Sequence, residues 1–177
     1  FRLPDEAMWE KAARGTDGRR WPWGNEWDAP KLNSRDGGIG RTSAVGIFPT
    51  GRSPYEVFDC AGNVLEWCSG PGYSSGASYP FQPRPYTDKA YQEELTSSAG
   101  TRALRGGAWN NDDLFTRAAY RHFNNPHHRN YNVGFRVVEP LSNGDRKCGG
   151  RTRLLPRDER STPRSPVSLR AGRAPAR

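Results

Sequence analysis

The chain has 177 residues, enough for one domain, and only 33% of them are hydrophobic, where roughly 45–50% is usual on a similar count. Its +8 net charge is unevenly placed: residues 141–177 hold nine Arg and one Lys against Asp145, Asp158 and Glu159, which leaves +1 on the first 140 residues. The basic character therefore belongs to a tail, and nucleic-acid binding by the folded part loses its main support; no apolar run has membrane-spanning length, and three Cys make neither a disulfide framework nor a zinc spacing.

Six Trp, seven Tyr and seven Phe offset part of the apolar shortfall, because each ring buries a large area. Twenty Gly and fifteen Pro predict much irregular structure. Cys60 and Cys68 are near enough in sequence to pair, but buried free thiols are the expected state. The chain begins at Phe1 without an initiator Met, so further chain upstream is expected. Cell surface and cytoplasm both stay open.

Residues 2–15 predict an amphipathic helix. Asp5 suits the N-cap, Glu6 the positive end of the helix dipole, and Arg14-Gly15 the C-terminal end. Trp9 and Ala13 fall on one face, with Met8 and Ala12 beside them. Residues 16–54 predict little regular structure. Trp21-Pro22-Trp23-Gly24-Asn25 packs two indoles into five residues; stacking on a sugar is one use, and anchoring a minor core in a loop-rich fold is the preferred one. Asn33, Ser34, Asp36 and the glycines at 37, 38 and 40 supply oxygen ligands and tight turns of the kind calcium favours, without an EF-hand spacing.

Residues 55–68 form a denser block. Gly62-Asn63-Val64-Leu65-Glu66-Trp67 places an amide and a carboxylate three apart in chain expected to be buried. A buried Glu needs a partner, and backbone N–H groups, an Arg or a calcium ion would serve. A long Gly/Ser/Pro/Tyr-rich loop over 69–101 follows, with a short helical piece near 89–95. Residues 141–177, rich in Arg and Pro, are expected to be disordered.

The stretch from Arg105 to Val138 organises the rest. Gly106-Gly107 permits a backbone that other residues avoid, Trp109 reads as a core anchor, and Phe135, Val137 and Val138 read as a short strand. Between them, residues 110–132 hold six Asn, two Asp, three His, two Tyr and two Phe. That is too polar for core and too aromatic for a linker, and it suits a binding surface. A metal cluster of His122, His127 and His128 is disfavoured, because adjacent histidines diverge in extended chain. A plain polar surface loop is the other reading.

Five blocks occur in order: Arg2-Leu3-Pro4-x-Glu6-Ala7-x-Trp9-Glu10-x-Ala12-Ala13-Arg14-Gly15, Trp21-Pro22-Trp23-Gly24-Asn25, Gly62-Asn63-Val64-x-Glu66-Trp67, Arg105-Gly106-Gly107-Ala108-Trp109 and Gly134-Phe135-Arg136. Together they resemble the formylglycine-generating enzyme family, or sulfatase-modifying factors, over residues 1–139. The resemblance implies an α+β fold, the formylglycine-generating-type variant of the C-type lectin fold, with little regular structure. It implies that the N-terminal part of the domain is missing here and that the strand near 135–138 lacks a partner. It also implies structural calcium at Gly62, Asn63, Val64 and Glu66, with a looser second match at Asn33 and Asp36.

The oxidase members carry a copper-binding Cys pair after Gly-Gly-x-Trp/Tyr. Here Asn110-Asn111-Asp112-Asp113 stands in that place, so no copper is expected. A related branch uses iron, whose ligands would lie on another domain.

The central stretch is also similar to the variable region of diversity-generating retroelement target proteins, which implies a bacterial or phage origin. Such elements mutate template adenines, and an AAC codon for Asn can become one for Asp, His, Tyr or Phe. On that resemblance the variable, ligand-contacting positions are Asn110, Asn111, Asp112, Asp113, Phe115, Tyr120, His122, Phe123, His127, His128 and Tyr131, and the partner is a protein or other macromolecule. Arg117, Ala118, Ala119, Arg121, Pro126 and Arg129 would be scaffold. The alternatives are a formylglycine-generating oxidase and a structural module of a larger protein.

Overall fold

The computed structural model describes residues 1–71 and 100–139. The expected helical piece near 89–95 and the tail from 140 onward lie outside the described residues.

One α-helix, α1 (Glu6–Arg14), stands among the described residues. Its start is set by Asp5, whose carboxylate accepts from the Met8 N–H at 2.7 Å. Its end is set by Gly15, at φ 70°, whose N–H donates to the Lys11 carbonyl; both caps satisfy groups the helix itself leaves open. The buried face is Glu6, Trp9 and Ala13. Met8, expected beside them, is exposed.

Between α1 and the sheet come three single-turn 3-10 segments, Ala29–Lys31, Arg35–Gly37 and Pro49–Gly51. Trp21 is the buried ring of the tryptophan cluster, with Trp23 stacked on it at 6.2 Å and Trp27 tilted against it at 5.4 Å. That arrangement matches the minor-core reading.

Among the described residues four strands make one sheet in the order β3-β2-β1-β4. These are β1 (Leu65–Pro71), β2 (Arg102–Arg105), β3 (Arg121–Asn124) and β4 (Val133–Phe135). β1 and β2 pair antiparallel, with Glu66 opposite Arg105 and a register shift between Trp67 and Pro71. β2 and β3 pair antiparallel, with Arg105 opposite Arg121. β4 runs parallel to β1, with Glu66 opposite Gly134. The last strand therefore has a partner, and Val138 adds a two-hydrogen-bond bridge to Arg2.

Side chains alternate across a strand, and the core divides accordingly. Cys68 and Ala103 pack toward Trp9, Ala13, Cys60 and Ala118. Leu65 and Leu104 pack with Ala108, and half-buried Trp67 and Val133 lean on them. Both clusters are small, in keeping with the low hydrophobic content.

Charge fills the space that apolar side chains leave. Glu6, only 3% exposed, accepts from Arg121 through both oxygens, at 2.7 and 2.8 Å, and from Arg105 at 3.2 Å. Arg105 is fully buried, donates also to Glu10 at 2.6 Å and to the Ala118 carbonyl, and lies 5.5 Å from the centre of the Trp9 ring. Glu6 thus does more than complement the helix dipole. Glu66 found the arginine partner that a buried carboxylate requires: Arg136 clasps both its oxygens, and the Trp9 indole N–H adds a third bond at 2.6 Å.

Two expectations about the central stretch need correction. Ala108, not Trp109, fills the core position; Trp109 comes one residue later in the turn and is half-buried. The strand expected at Phe135, Val137 and Val138 lies earlier, at Val133–Phe135, with Val138 in a separate bridge and Phe135 and Val137 exposed. Arg136 between them turns inward to Glu66 and to the Phe58 and Asp59 carbonyls. Gly106-Gly107 behaves as expected, at φ 93° and 70°. A Cβ on Gly107 would stand 2.7 Å from the Phe115 carbonyl oxygen.

Replacing Arg136 with Leu strands the Glu66 charge in the core. Urea unfolding should register a loss of about 3–5 kcal/mol, much of it recovered in the Glu66→Leu/Arg136→Leu pair. A loss within the noise for the single change would mean the pair is solvated.

Cys60 and Cys68 are free and buried. Burial pushes the Cys60 thiol up to about 12 and raises Cys68 as well. Folded thiols that keep their protons where unfolded ones have lost them make stability fall as pH climbs from about 9 toward 12. Mass-spectrometric mapping of iodoacetamide adducts at pH 8 should find both residues unlabelled until denaturant is added. Ready labelling of the native protein would contradict the burial.

Candidate functional site

Residues 110–132 leave the sheet after β2, contribute β3 and return to β4. Local hydrogen bonds shape the first part. The Asn111 side chain accepts from Ala108 N–H at 2.9 Å, and Asp112 Oδ1 accepts from the N–H groups of Leu114 and Phe115. Arg35 reaches across to Asp112 at 3.2 Å and donates its own N–H to the Asn111 carbonyl. Asn111 and Asp112 are thus held in turn-forming work, the Asx geometry their short polar chains favour. Thr116 and Ala118 are fully buried, and the Ala118 N–H donates to the Arg20 carbonyl at 2.8 Å.

From there the rings form a run. Phe115 meets Tyr120 edge-on at 5.0 Å, Tyr120 stacks with His122 at 6.5 Å, and His122 stacks with Phe123 at 5.9 Å. Burial raises the Tyr120 hydroxyl and lowers His122, which keeps the imidazole neutral at pH 7. Tyr131 stands apart, 76% exposed and tilted against Trp109 at 5.8 Å.

His127 and His128 are exposed in the turn after β3, where His128 Nδ1 lies 2.7 Å from Asn124 Oδ1. Asn110 accepts from the Asn132 amide at 3.2 Å, which closes the segment on itself. Asp113 is half-buried and gives its carbonyl to the Thr116 hydroxyl. The expected contact residues therefore gather as one aromatic group, one Trp–Tyr pair and one histidine turn. The three His do not converge, and among the described residues no group of His, Cys, Asp or Glu gathers to hold a metal.

The expected calcium positions separate in the same way. Asn63 and Asn33 come together, with the Asn33 amide 3.4 Å from Asn63 Oδ1, and both engage Ser43. Gly62 sits at φ 75° against the Asn33 carbonyl, where any Cβ would clash at 2.2 Å. The acids turn elsewhere: Glu66 to Arg136 and Trp9, Asp36 to Arg35 at the surface. Val64 is half-buried above Gly134. Asn33 Oδ1 and Ser34 Oγ are buried without a hydrogen-bond partner, but calcium takes six to eight oxygens, usually with carboxylates. As arranged, these residues do not fit a calcium shell.

Copper fares no better. It needs thiolates, and Cys60 and Cys68 are protonated core residues.

One grouping was missed in the sequence. Arg14, Arg20, Arg117 and Arg121, with Ala119 and Tyr120, line a cleft of about 470 Å³. Averaging charge over the whole domain hid it, although the Arg117/Arg121 spacing and the Arg14–Arg20 cluster were signals.

Comparison with known proteins bears on this geometry. The family model for the sulfatase-modifying factor enzyme 1-like domain matches residues 1–141. The serine/threonine-protein kinase Pkn1 of Chlamydia trachomatis serovar L2 is 40% identical over 149 residues, covering 79% of this chain and 21% of that protein. The formylglycine-generating enzyme of Streptomyces coelicolor is 34% identical over 156 residues, covering 77% of this chain and 46% of that one. Among solved structures, Treponema denticola variable protein 1 superposes with a TM-score of 0.55 at 29% identity, covering 76% of this chain and 45% of that one. The chain thus spans less than half the length of each of these relatives. It belongs to the sulfatase-modifying factor family, with that family's α+β, C-type lectin-like fold.

Proposed function

We propose that this chain is a non-catalytic ligand-binding module whose residues 110–132 form a retroelement-diversified contact surface for a protein or other macromolecule. The observation that carries the reading is the continuous ring run Phe115–Tyr120–His122–Phe123. It lies on a segment braced from beneath by Thr116 and Ala118, both fully buried. Aromatic rings supply rigid contact area at low entropic cost, and the Asn and His side chains around them supply adaptable hydrogen bonds. Likeness in fold to a variable protein supports the same reading.

The oxidase alternative draws support from the family and from the formylglycine-generating relatives. Against it stand the turn residues Asn110–Asp113 where a Cys pair would be needed, and two thiols buried in the core.

A contact surface must tolerate change where the core cannot. In a displayed library randomised at Phe115, Tyr120, His122, Phe123, His127, His128 and Tyr131, most members should keep the parent's protease resistance, with a typical cost near 1 kcal/mol or less per change. A matched library at Ala103, Leu104, Thr116 and Ala118 should be largely digested. Equal loss from both libraries would sink the surface assignment.

A further inference from the structure

The arginine-lined cleft joins the two walls of the candidate surface. Arg14 ends α1 and Arg20 follows it in the loop; Arg117, Ala119, Tyr120 and Arg121 come from the segment leading into β3. The hydrogen bond from Ala118 N–H to the Arg20 carbonyl fixes one wall against the other. At about 470 Å³ the cleft lies within the range of small-ligand sites, roughly 300–1,000 Å³.

Its guanidinium groups are not equally committed. Arg14 donates to Glu10 and to the Gly18 and Arg19 carbonyls. Arg121 holds Glu6. Arg20 makes no side-chain bond among the described residues, and Arg117 spends only its Nε, on the Leu114 carbonyl. The neighbouring carboxylates are already shared: Glu6 serves Arg105 and Arg121, and Glu10 serves Arg14 and Arg105. Three guanidiniums, of Arg14, Arg105 and Arg121, thus share two carboxylates, while Arg20 and Arg117 in the cleft have no carboxylate partner among the described residues.

We propose that this cleft receives an anionic group of the ligand, a carboxylate or a phosphate or sulfate oxyanion, held chiefly by Arg20 and Arg117 beside Tyr120. Guanidinium forks match such planar or tetrahedral oxyanions, and the charge-assisted bonds are the strong ones. The proposal rests on the reading of residues 110–132 as a contact surface and adds ligand chemistry to it. Every wall residue except Tyr120 lies outside the expected variable positions. The cleft would therefore grip a feature common to successive ligands, while Phe115, His122 and Phe123 select among them. The domain outside the tail carries only +1, which favours one anionic group over a long nucleic-acid tract.

The test is to follow the arginine Nε–Hε signals by ¹⁵N NMR as sodium benzoate or sodium phosphate is titrated at constant ionic strength, with sodium chloride as reference. Saturable shifts at Arg20 and Arg117 are expected, with exposed Arg52 unmoved. Each of Arg20→Gln and Arg117→Gln should weaken the apparent affinity about tenfold or more. Arg52→Gln should change nothing. Benzoate and phosphate in separate titrations tell a carboxylate from a phosphate preference.

Unsaturable shifts shared with Arg52, or saturation unaffected by both substitutions, would overturn the proposal. So would a single-stranded DNA oligonucleotide that occupies the same arginines more tightly and with a steep salt dependence. The randomised-library result is independent of this titration. Tolerant surface positions without anion saturation remove the cleft alone, and saturation with an intolerant surface removes the contact-surface reading alone.

Discussion

A carboxylate buried at the start of a helix holds this structure together. Glu6 lies under the sheet, where it would be costly unless paired. Arg105 of β2 and Arg121 of β3 both bond to it, so one side chain ties α1 to two neighbouring strands. Arg105 in turn reaches Glu10 one helical turn on, and its guanidinium lies near the Trp9 ring face. The charge pattern works as a register device. A slip of β3 by one residue would turn Arg121 away from Glu6. Since Arg121 opens β3, the same contact fixes where the aromatic run sits.

The Glu66–Arg136 clasp does similar work at the other edge. It ties β1 to the chain just after β4, and the Trp9 indole N–H on Glu66 links it to the helix. The two networks thus meet at Trp9. With apolar clusters this small, directional bonds rather than apolar volume define the frame. Within residues 110–132 the frame uses Arg121 and the Ala118 carbonyl, whereas Phe115, His127, His128 and Tyr131 contribute to neither network.

Much of this was legible in the residues themselves. Asp5 and Gly15 marked the helix ends by their capping chemistry. The need of a buried Glu66 for a partner was also plain, although choosing among backbone, arginine and calcium required knowing that Arg136, seventy residues on, turns inward. Glu6 was harder, because a glutamate in a first helical turn has a sufficient surface explanation. Trp109 misled by its size; the turn after Gly107 points its smaller neighbour Ala108 into the core. At the candidate calcium positions, the motifs assigned Asn33 and Asn63 to two separate sites, whereas the fold brings the two amides together, and the motifs said nothing of where the acids would face. The cleft was masked for a different reason: in a whole-domain count its arginines are balanced by carboxylates engaged elsewhere, so the local Arg14–Arg20 and Arg117/Arg121 groupings went unweighed. Local pattern reveals local geometry, and long-range pairing of charges lies beyond it.

The central claim is that residues 110–132 are a diversified contact surface. The most direct measurement is to sequence the codons for residues 105–138 across many cells of one natural population. The account predicts substitutions confined to positions 110–132, at codons one or more adenine changes away from AAC, with the codons for Arg105, Gly107, Ala118 and Arg121 unchanged. A uniform segment, or substitutions spread evenly over scaffold and surface positions, would contradict it.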